Sequence, residues 1–175
     1  TFIEGDNLFT LLENNRIKDE TLNNIGEILS KIHLLKDIDV WQDNEINNFG
    51  KDDWIFSIKK RNQNNLNDIE EYNLINKDEF LLLEKYFQSF IINLEKSDIF
   101  LCPIHGDFSP KNISISKENK VNGIFDFELH KIAHNLNELG IFYYWLKFYK
   151  KENCFDIVLK KYSQFIPLKK ESNKF

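Results

Sequence analysis

Two short β-rich runs, ISIS (113–116) and VNGIFDF (121–127), flank the polar tetrapeptide KENK (117–120), a pattern that predicts a β-hairpin. With Ser116 opposite Val121, simple counting pairs Ser114 with Gly123 and Asn112 with Phe125. Asn112 and Asp126 then lie side by side at the open end of the hairpin. Asp107 sits in the loop HGDFSPKN (105–112) that enters the same end. Three oxygen-bearing side chains therefore converge, although 19 residues separate the first from the last.

A carboxylate and an amide carbonyl are hard oxygen donors of the kind Mg²⁺ accepts, and Mg²⁺ leaves most of its positions to water and substrate phosphates. Asn112 and Asp126 fit that limited demand. Asp107 is then free to accept the proton of a hydroxyl as it attacks a phosphoryl group. In phosphoryl transfer the protein mainly positions groups and stabilises charge. Gly106 permits an unusual backbone angle, and His105 can tie the loop to its surroundings by hydrogen bonds. The competing reading makes Asp107 and Asn112 ordinary turn residues, but it leaves Asp126 and the hairpin unexplained.

The spacing Asp-x-x-x-x-Asn followed by a hairpin and Asp-Phe resembles the catalytic loop and metal-binding segment of kinases. With HGD at 105–107 and DFE at 126–128, the chain resembles the aminoglycoside phosphotransferase/choline kinase-like family of protein-kinase-like small-molecule kinases. FIEGDNLFTLL (2–12) is similar to that family's hinge strand and the turn after it. IGEILSKIHLL (25–35) is similar to its first large-lobe helix, with His33 at the LxxLH position, and NLNELGIF (135–142) stands where the family has DPAYDLA. The resemblance implies an α+β, mainly α fold: a protein-kinase-like large (C-terminal) lobe with a catalytic β-hairpin. Its parts would be a hinge strand at 1–5, a first helical segment at 6–36, a helical substrate-selectivity region at 37–100, the catalytic loop and metal hairpin at 101–128, and C-terminal helices at 129–175. The small lobe is expected to be absent.

The resemblance further implies ATP (or GTP) and Mg²⁺ as donor and cofactor, and a small molecule with a hydroxyl as acceptor: aminoglycoside-, choline- or homoserine-like. Asp107 becomes the catalytic base, and Asn112 and Asp126 the metal ligands. Phe2, Ile3, Glu4 and Phe125 would line the nucleotide, Glu128 would meet a cationic acceptor, and Lys111 a phosphate. His105 and Glu138 are expected to support the loop. Glu138 stands where the family writes an aspartate, and His134-Asn135 replaces Asp-Pro. The alternative is a non-catalytic pseudokinase module that binds nucleotide or a partner, or a truncated fragment, in either case without turnover.

Apolar residues at Leu22, Ile25, Leu29, Ile32 and Leu35 predict a helix over 19–35, started by Asp19 or Thr21. Residues 37–79, with Trp41, Trp54, Phe56 and Ile58, read as helical pieces joined by polar loops. Phe80, Leu83, Phe87, Phe90/Ile91 and Leu94 predict a helix over 77–96, capped by Asp78. Further helices are expected at 137–148 and 153–165, with Pro167 ending the last. His130 and His134 are four apart, the spacing of a zinc pair on a helix, but no HExxH accompanies them. The stripe Phe142, Tyr143, Trp145 and Phe148 reads as core or a subdomain interface rather than as a binding wall for substrate.

A net charge of −5 argues against a nucleic-acid protein held by its overall field. The lysine-rich stretches KFYKK (147–151) and KKYSQFIPLKK (160–170) alternate with apolar residues and read as solvated helix faces. The run LGIFYYWL (139–146) is far below the ~20 residues that span a bilayer, so no membrane partner is expected. Cys102 and Cys154 match no metal or disulfide pattern, and no signal peptide is legible, which together point to the cytoplasm.

Overall fold

The computed structural model describes residues 5–35 and 49–168. Two compact units are formed, Thr1–Ile38 with Cys102–Phe175, and Asp39–Leu101. Phe2, Ile3, Glu4 and Trp41, and with them most of the expected opening strand, lie outside the described residues.

In the first unit, β1 (Asp6–Asn7) leads directly into α1 (Leu8–Glu13). Asn7 caps that helix, its Oδ1 accepting the Thr10 N–H at 2.8 Å. The predicted helix over 19–35 is α2 (Asp19–His33). Leu22, Ile25 and Leu29 are buried along one face, whereas Leu35 lies past the helix end and is exposed. Neither expected cap acts as one. Lys18 is the N-cap, without a side-chain bond, and Asp19 is in the first turn, where its charge complements the helix dipole. Thr21 instead donates its hydroxyl to the Asn119 carbonyl at 2.9 Å.

The hairpin forms from β3 (Ile113–Ile115) and β4 (Val121–Ile124), antiparallel, with β1 on the other edge of β3. Ser114 faces Gly123 as counted. A bulge between Ser114 and Ile115 then places Ile115, not Ser116, opposite Val121. Beside this irregularity the Val121 N–H donates to Asn24 Oδ1 of α2 at 2.8 Å.

β2 (Leu101–Ile104) pairs with β5 (Lys131–His134), a strand the sequence pattern did not signal. α5 (Asn135–Phe148) follows at once, and α6 (Glu152–Tyr162) ends five residues before Pro167 in a series of turns. α2 and α6 approach closely at Gly26, where an added Cβ would stand 2.5 Å from the Val158 carbonyl oxygen. Around that contact lies the core, built from Ile25, Leu29, Phe108, Ile113, Phe142 and Val158. Of the aromatic stripe on α5, only Phe142 is core; Tyr143 and Phe148 are exposed.

The second unit contains α3 (Lys51–Glu71) packed with α4 (Lys77–Lys96). Where helical pieces were expected within 51–71, one 21-residue helix runs unbroken, burying Trp54, Ile55 and Leu66 and exposing Phe56. α4 has the predicted bounds, with Phe80, Leu83, Phe87, Ile91 and Leu94 half-buried on one face. Its cap is Asn76 rather than Asp78. Asn76 Oδ1 accepts the Asp78 and Glu79 N–H groups at 3.0 Å, and Glu79 returns a bond to the Asn76 N–H. Among the described residues no helix is long and apolar enough to cross a membrane.

Candidate active site

The loop between β2 and β3 has a sharp left-handed bend at Gly106, with φ +89°. A Cβ there would stand 2.0 Å from the Leu129 carbonyl oxygen, so only glycine lets the chain pass. The bend turns the backbone N–H groups of His105 and Gly106 inward. Both are taken by Glu138 of α5, Oε2 accepting from His105 at 3.0 Å and Oε1 from Gly106 at 2.8 Å. Glu138 is fully buried. Its remaining contact is His33 of α2, whose Nε2 lies 3.1 Å from Oε2. One carboxylate thus ties α5, α2 and the loop together, and the longer glutamate spans the gap.

His105 is buried and joins the loop to the hairpin. Its Nε2–H donates to the Phe125 carbonyl, and its Nδ1 accepts the Asp107 N–H at 3.2 Å. Its ring packs on Phe127 with centroids 4.2 Å apart. Asp107 itself is half-buried. Asn112 donates its Nδ2 to both the Asp107 carbonyl at 3.0 Å and Oδ2 at 3.1 Å. Because that nitrogen is committed to Asp107, the Asn112 Oδ1 is left without a partner among the described residues.

The Phe125 N–H donates to the Asn112 carbonyl at 2.9 Å, which fixes Asn112 beside the end of β4. Asp126 follows in the left-handed conformation, φ 63° and ψ 59°, exposed and without a hydrogen-bond partner among the described residues. Such an angle is uncommon outside glycine, and aspartate tolerates it better than most residues. The unengaged Asn112 Oδ1 and Asp126 carboxylate are both hard oxygen donors, a set that suits Mg²⁺.

The remaining expected site residues are more loosely placed. Phe125 and Glu128 are exposed next to Asp126. Lys111 is exposed and holds its ammonium 5.6 Å from the centre of the Phe9 ring, a cation–π contact. His134 is the N-cap of α5, its Nδ1 accepting the Leu136 N–H, whereas His130 follows a short 3₁₀ turn and donates to the Phe127 carbonyl. The two are not on one helix. No cluster of three or more His, Cys, Asp or Glu suited to a metal occurs among the described residues.

The sequence placed His33 only at the LxxLH position and Asn135 only in the Asp-Pro replacement, and it did not single out Tyr162, which joins the two in a buried network. The one signal available for Tyr162 is its place on the buried face of α6, since a buried phenol needs a partner.

Cys102, 3% exposed, donates its thiol to the Ala133 carbonyl at 3.8 Å. Burial, with the nearby charge of Glu138, raises its pKa from 9.0 to about 12. The folded state therefore keeps a proton that the unfolded chain loses above pH 9. This thiol is neutral in both states below pH 9 and costs no stability there. Between pH 9 and about 12 it lowers stability by up to roughly 1.4 kcal/mol per pH unit. Urea titrations at several pH values should show a steeper decline over that window in the parent protein than in Cys102→Ala.

The sequence matches the model of a family described as "Phosphotransferase enzyme family" over residues 1–163. No curated protein matches it. Among solved structures, the gentamicin complex of APH(2")-IIa superposes with a TM-score of 0.56 at 16% identity, covering 91% of this chain and 57% of that one. Macrolide 2'-phosphotransferase type I gives 0.58 at 12% identity, covering 83% and 44%. ADP-bound APH(2'')-Ib gives 0.54 at 14% identity, covering 99% and 65%. The chain therefore spans 44% to 65% of the length of these relatives, and at such identities the likeness is one of fold. That fold is the mainly α, α+β, kinase-like one expected from the HGD and DFE motifs. Its match to the family model over nearly all its length establishes that the chain belongs to the phosphotransferase enzyme family.

Proposed function

We propose that this chain carries the catalytic loop and metal-binding hairpin of a kinase that transfers the γ-phosphoryl group of ATP (or GTP) to a hydroxyl of a small molecule. The observation that carries this reading is the division of labour at Asn112. Its amide nitrogen grips Asp107, which leaves its oxygen for a cation together with the free carboxylate of Asp126. Asp107 accepts the acceptor's hydroxyl proton as the new O–P bond forms and the bond to the leaving nucleoside diphosphate oxygen breaks. Mg²⁺ held by Asn112 and Asp126 would supply positive charge against the phosphate oxygens. Asn112 keeps Asp107 in one rotamer, and the His105 and Gly106 amides, fastened to Glu138, keep the loop from drifting.

In this reading the segment 1–5 is the hinge, and Phe2, Ile3, Glu4 and Phe125 border the nucleotide. Acceptor choice lies in the region 37–100. Glu128 contacts the positive charge of a cationic acceptor, which favours aminoglycoside- or choline-like compounds over zwitterionic homoserine-like ones. Lys111 contacts phosphate only by giving up its place over Phe9. The relatives are named for aminoglycoside and macrolide phosphotransferases, and one is described with ADP bound, which supports the substrate class. Buried, unpaired Cys102 and Cys154 suit a reducing cytoplasm.

The test is ADP formation by the purified protein with ATP and pooled aminoglycosides, macrolides, choline and homoserine, with Mg²⁺ and with EDTA. Acceptor-dependent ADP that vanishes with EDTA is expected. Nucleotide binding without any turnover would instead make this a non-catalytic binding module.

A further inference from the structure

Behind the loop anchor lies a chain of buried polar groups that reaches α6. His33 Nδ1 is 2.7 Å from the Tyr162 hydroxyl, and that same hydroxyl oxygen accepts from Asn135 Nδ2 at 3.0 Å. Tyr162 is fully buried, His33 2% exposed and Asn135 3% exposed, so water does not compete for these bonds. The Tyr162 ring stands edge-on to His33 with centroids 5.5 Å apart.

The direction of the chain follows from chemistry. A carboxylate oxygen only accepts, so the His33 nitrogen facing Glu138, Nε2, carries the proton. In the neutral ring Nδ1 is then a lone pair and needs a donor. The Tyr162 O–H is that donor, and its oxygen in turn takes the Asn135 N–H. Each bond therefore fixes the next: Asn135 to Tyr162, Tyr162 to His33, His33 to Glu138, Glu138 to the amides of His105 and Gly106.

We infer that Tyr162, held by Asn135, is a positioning residue for the catalytic loop: its hydroxyl selects the Nε2–H tautomer of His33 and so holds the Glu138 carboxylate that fastens His105 and Gly106. Tyr162 lies on α6, and its hydroxyl bonds to His33 and Asn135 rather than to the loop itself, so within this chain of bonds it reaches the loop through His33. The inference rests on the loop's catalytic role for its significance, but its test does not need turnover.

The experiment is nitrogen-resolved NMR of the His33 ring and amide hydrogen exchange in the full chain, for the parent protein and for Tyr162→Phe, with no nucleotide present. The parent should show His33 protonated at Nε2 alone. In Tyr162→Phe, which keeps the ring, the His105 and Gly106 amides should exchange about tenfold faster relative to the Ile25 and Leu29 amides of α2, the size of one lost buried hydrogen bond. Asn135→Ala, which removes the bond to the hydroxyl oxygen, should move the same two amides the same way. Protonation of His33 at Nδ1, alone or in addition, overturns the inference. So does unchanged exchange at His105 and Gly106, or a uniform acceleration of all four amides, which would mark a purely structural tyrosine. Because none of these readings uses ATP or an acceptor, a protein that fails to turn over but passes them refutes the kinase reading alone.

Discussion

Asp107→Asn is expected to lower turnover by about 10²–10⁴-fold while leaving nucleotide affinity nearly unchanged, since a positioned general base contributes that much. The substitution is close to isosteric, and the loop has other anchors. Asn112 keeps its bond to the residue 107 carbonyl, and the new side-chain oxygen can still accept from Asn112 Nδ2 where Oδ2 now does at 3.1 Å. What disappears is the capacity to take a proton. The loss should therefore fall on kcat rather than KM, because the interaction removed exists only as the hydroxyl attacks. Steady-state kinetics with the acceptor identified in the pooled assay, beside nucleotide binding by calorimetry, decides the matter. Full turnover in the variant would remove Asp107 from the base role.

The hairpin and its loop were legible because their information is local. A polar tetrapeptide between two β-rich runs fixes which strands pair, and Asn112 and Asp126 are brought together by counting alone. The bulge was not legible, and the Val121 amide beside it bonds to Asn24, 97 residues away, a contact that local sequence does not announce. β5 escaped for a similar reason. KIAH is only four residues long, and it is a strand because β2, far back in the chain, offers an edge.

Helix existence was easier to read than helix ends. α2 and α4 have apolar stripes of helical period, whereas α3 buries only Trp54, Ile55 and Leu66 of its 21 residues, a pattern too sparse to reveal one continuous helix. The caps at α2 and α4 were misassigned because aspartate suits both an N-cap and the first turn. At α4 the neighbouring Asn76 won, since its side chain is placed to accept two amides while its own N–H donates to the Glu79 carboxylate. In the candidate site, the Glu138 position was suggested by the family motif. The bond between His33 and Tyr162 joins residues 129 apart and has no sequence signature.

Glu138→Gln should destabilise the first unit by about 2–4 kcal/mol, more than any surface substitution, because it replaces an acceptor with a donor where three donors converge. Oε1 and Oε2 now accept from the Gly106 amide, the His105 amide and His33 Nε2. A glutamine offers one oxygen in place of two. If that oxygen serves His105 and His33, its NH₂ group faces the Gly106 N–H; if it is turned the other way, the NH₂ faces two donors. Either orientation buries at least one unsatisfied N–H, and the site is closed to water, Glu138 being fully buried. Urea denaturation followed by fluorescence should show the loss as a lower midpoint. Glu138→Asp gives the informative contrast. It keeps both acceptors but shortens the reach by a methylene, so it should retain part of the stability while loosening the His105 and Gly106 amides. If Glu138→Gln proved as stable as the parent, the carboxylate would not be what holds the loop, and the loop's geometry would have to come from Gly106, the His105–Phe125 bond and the Asn112–Asp107 bonds.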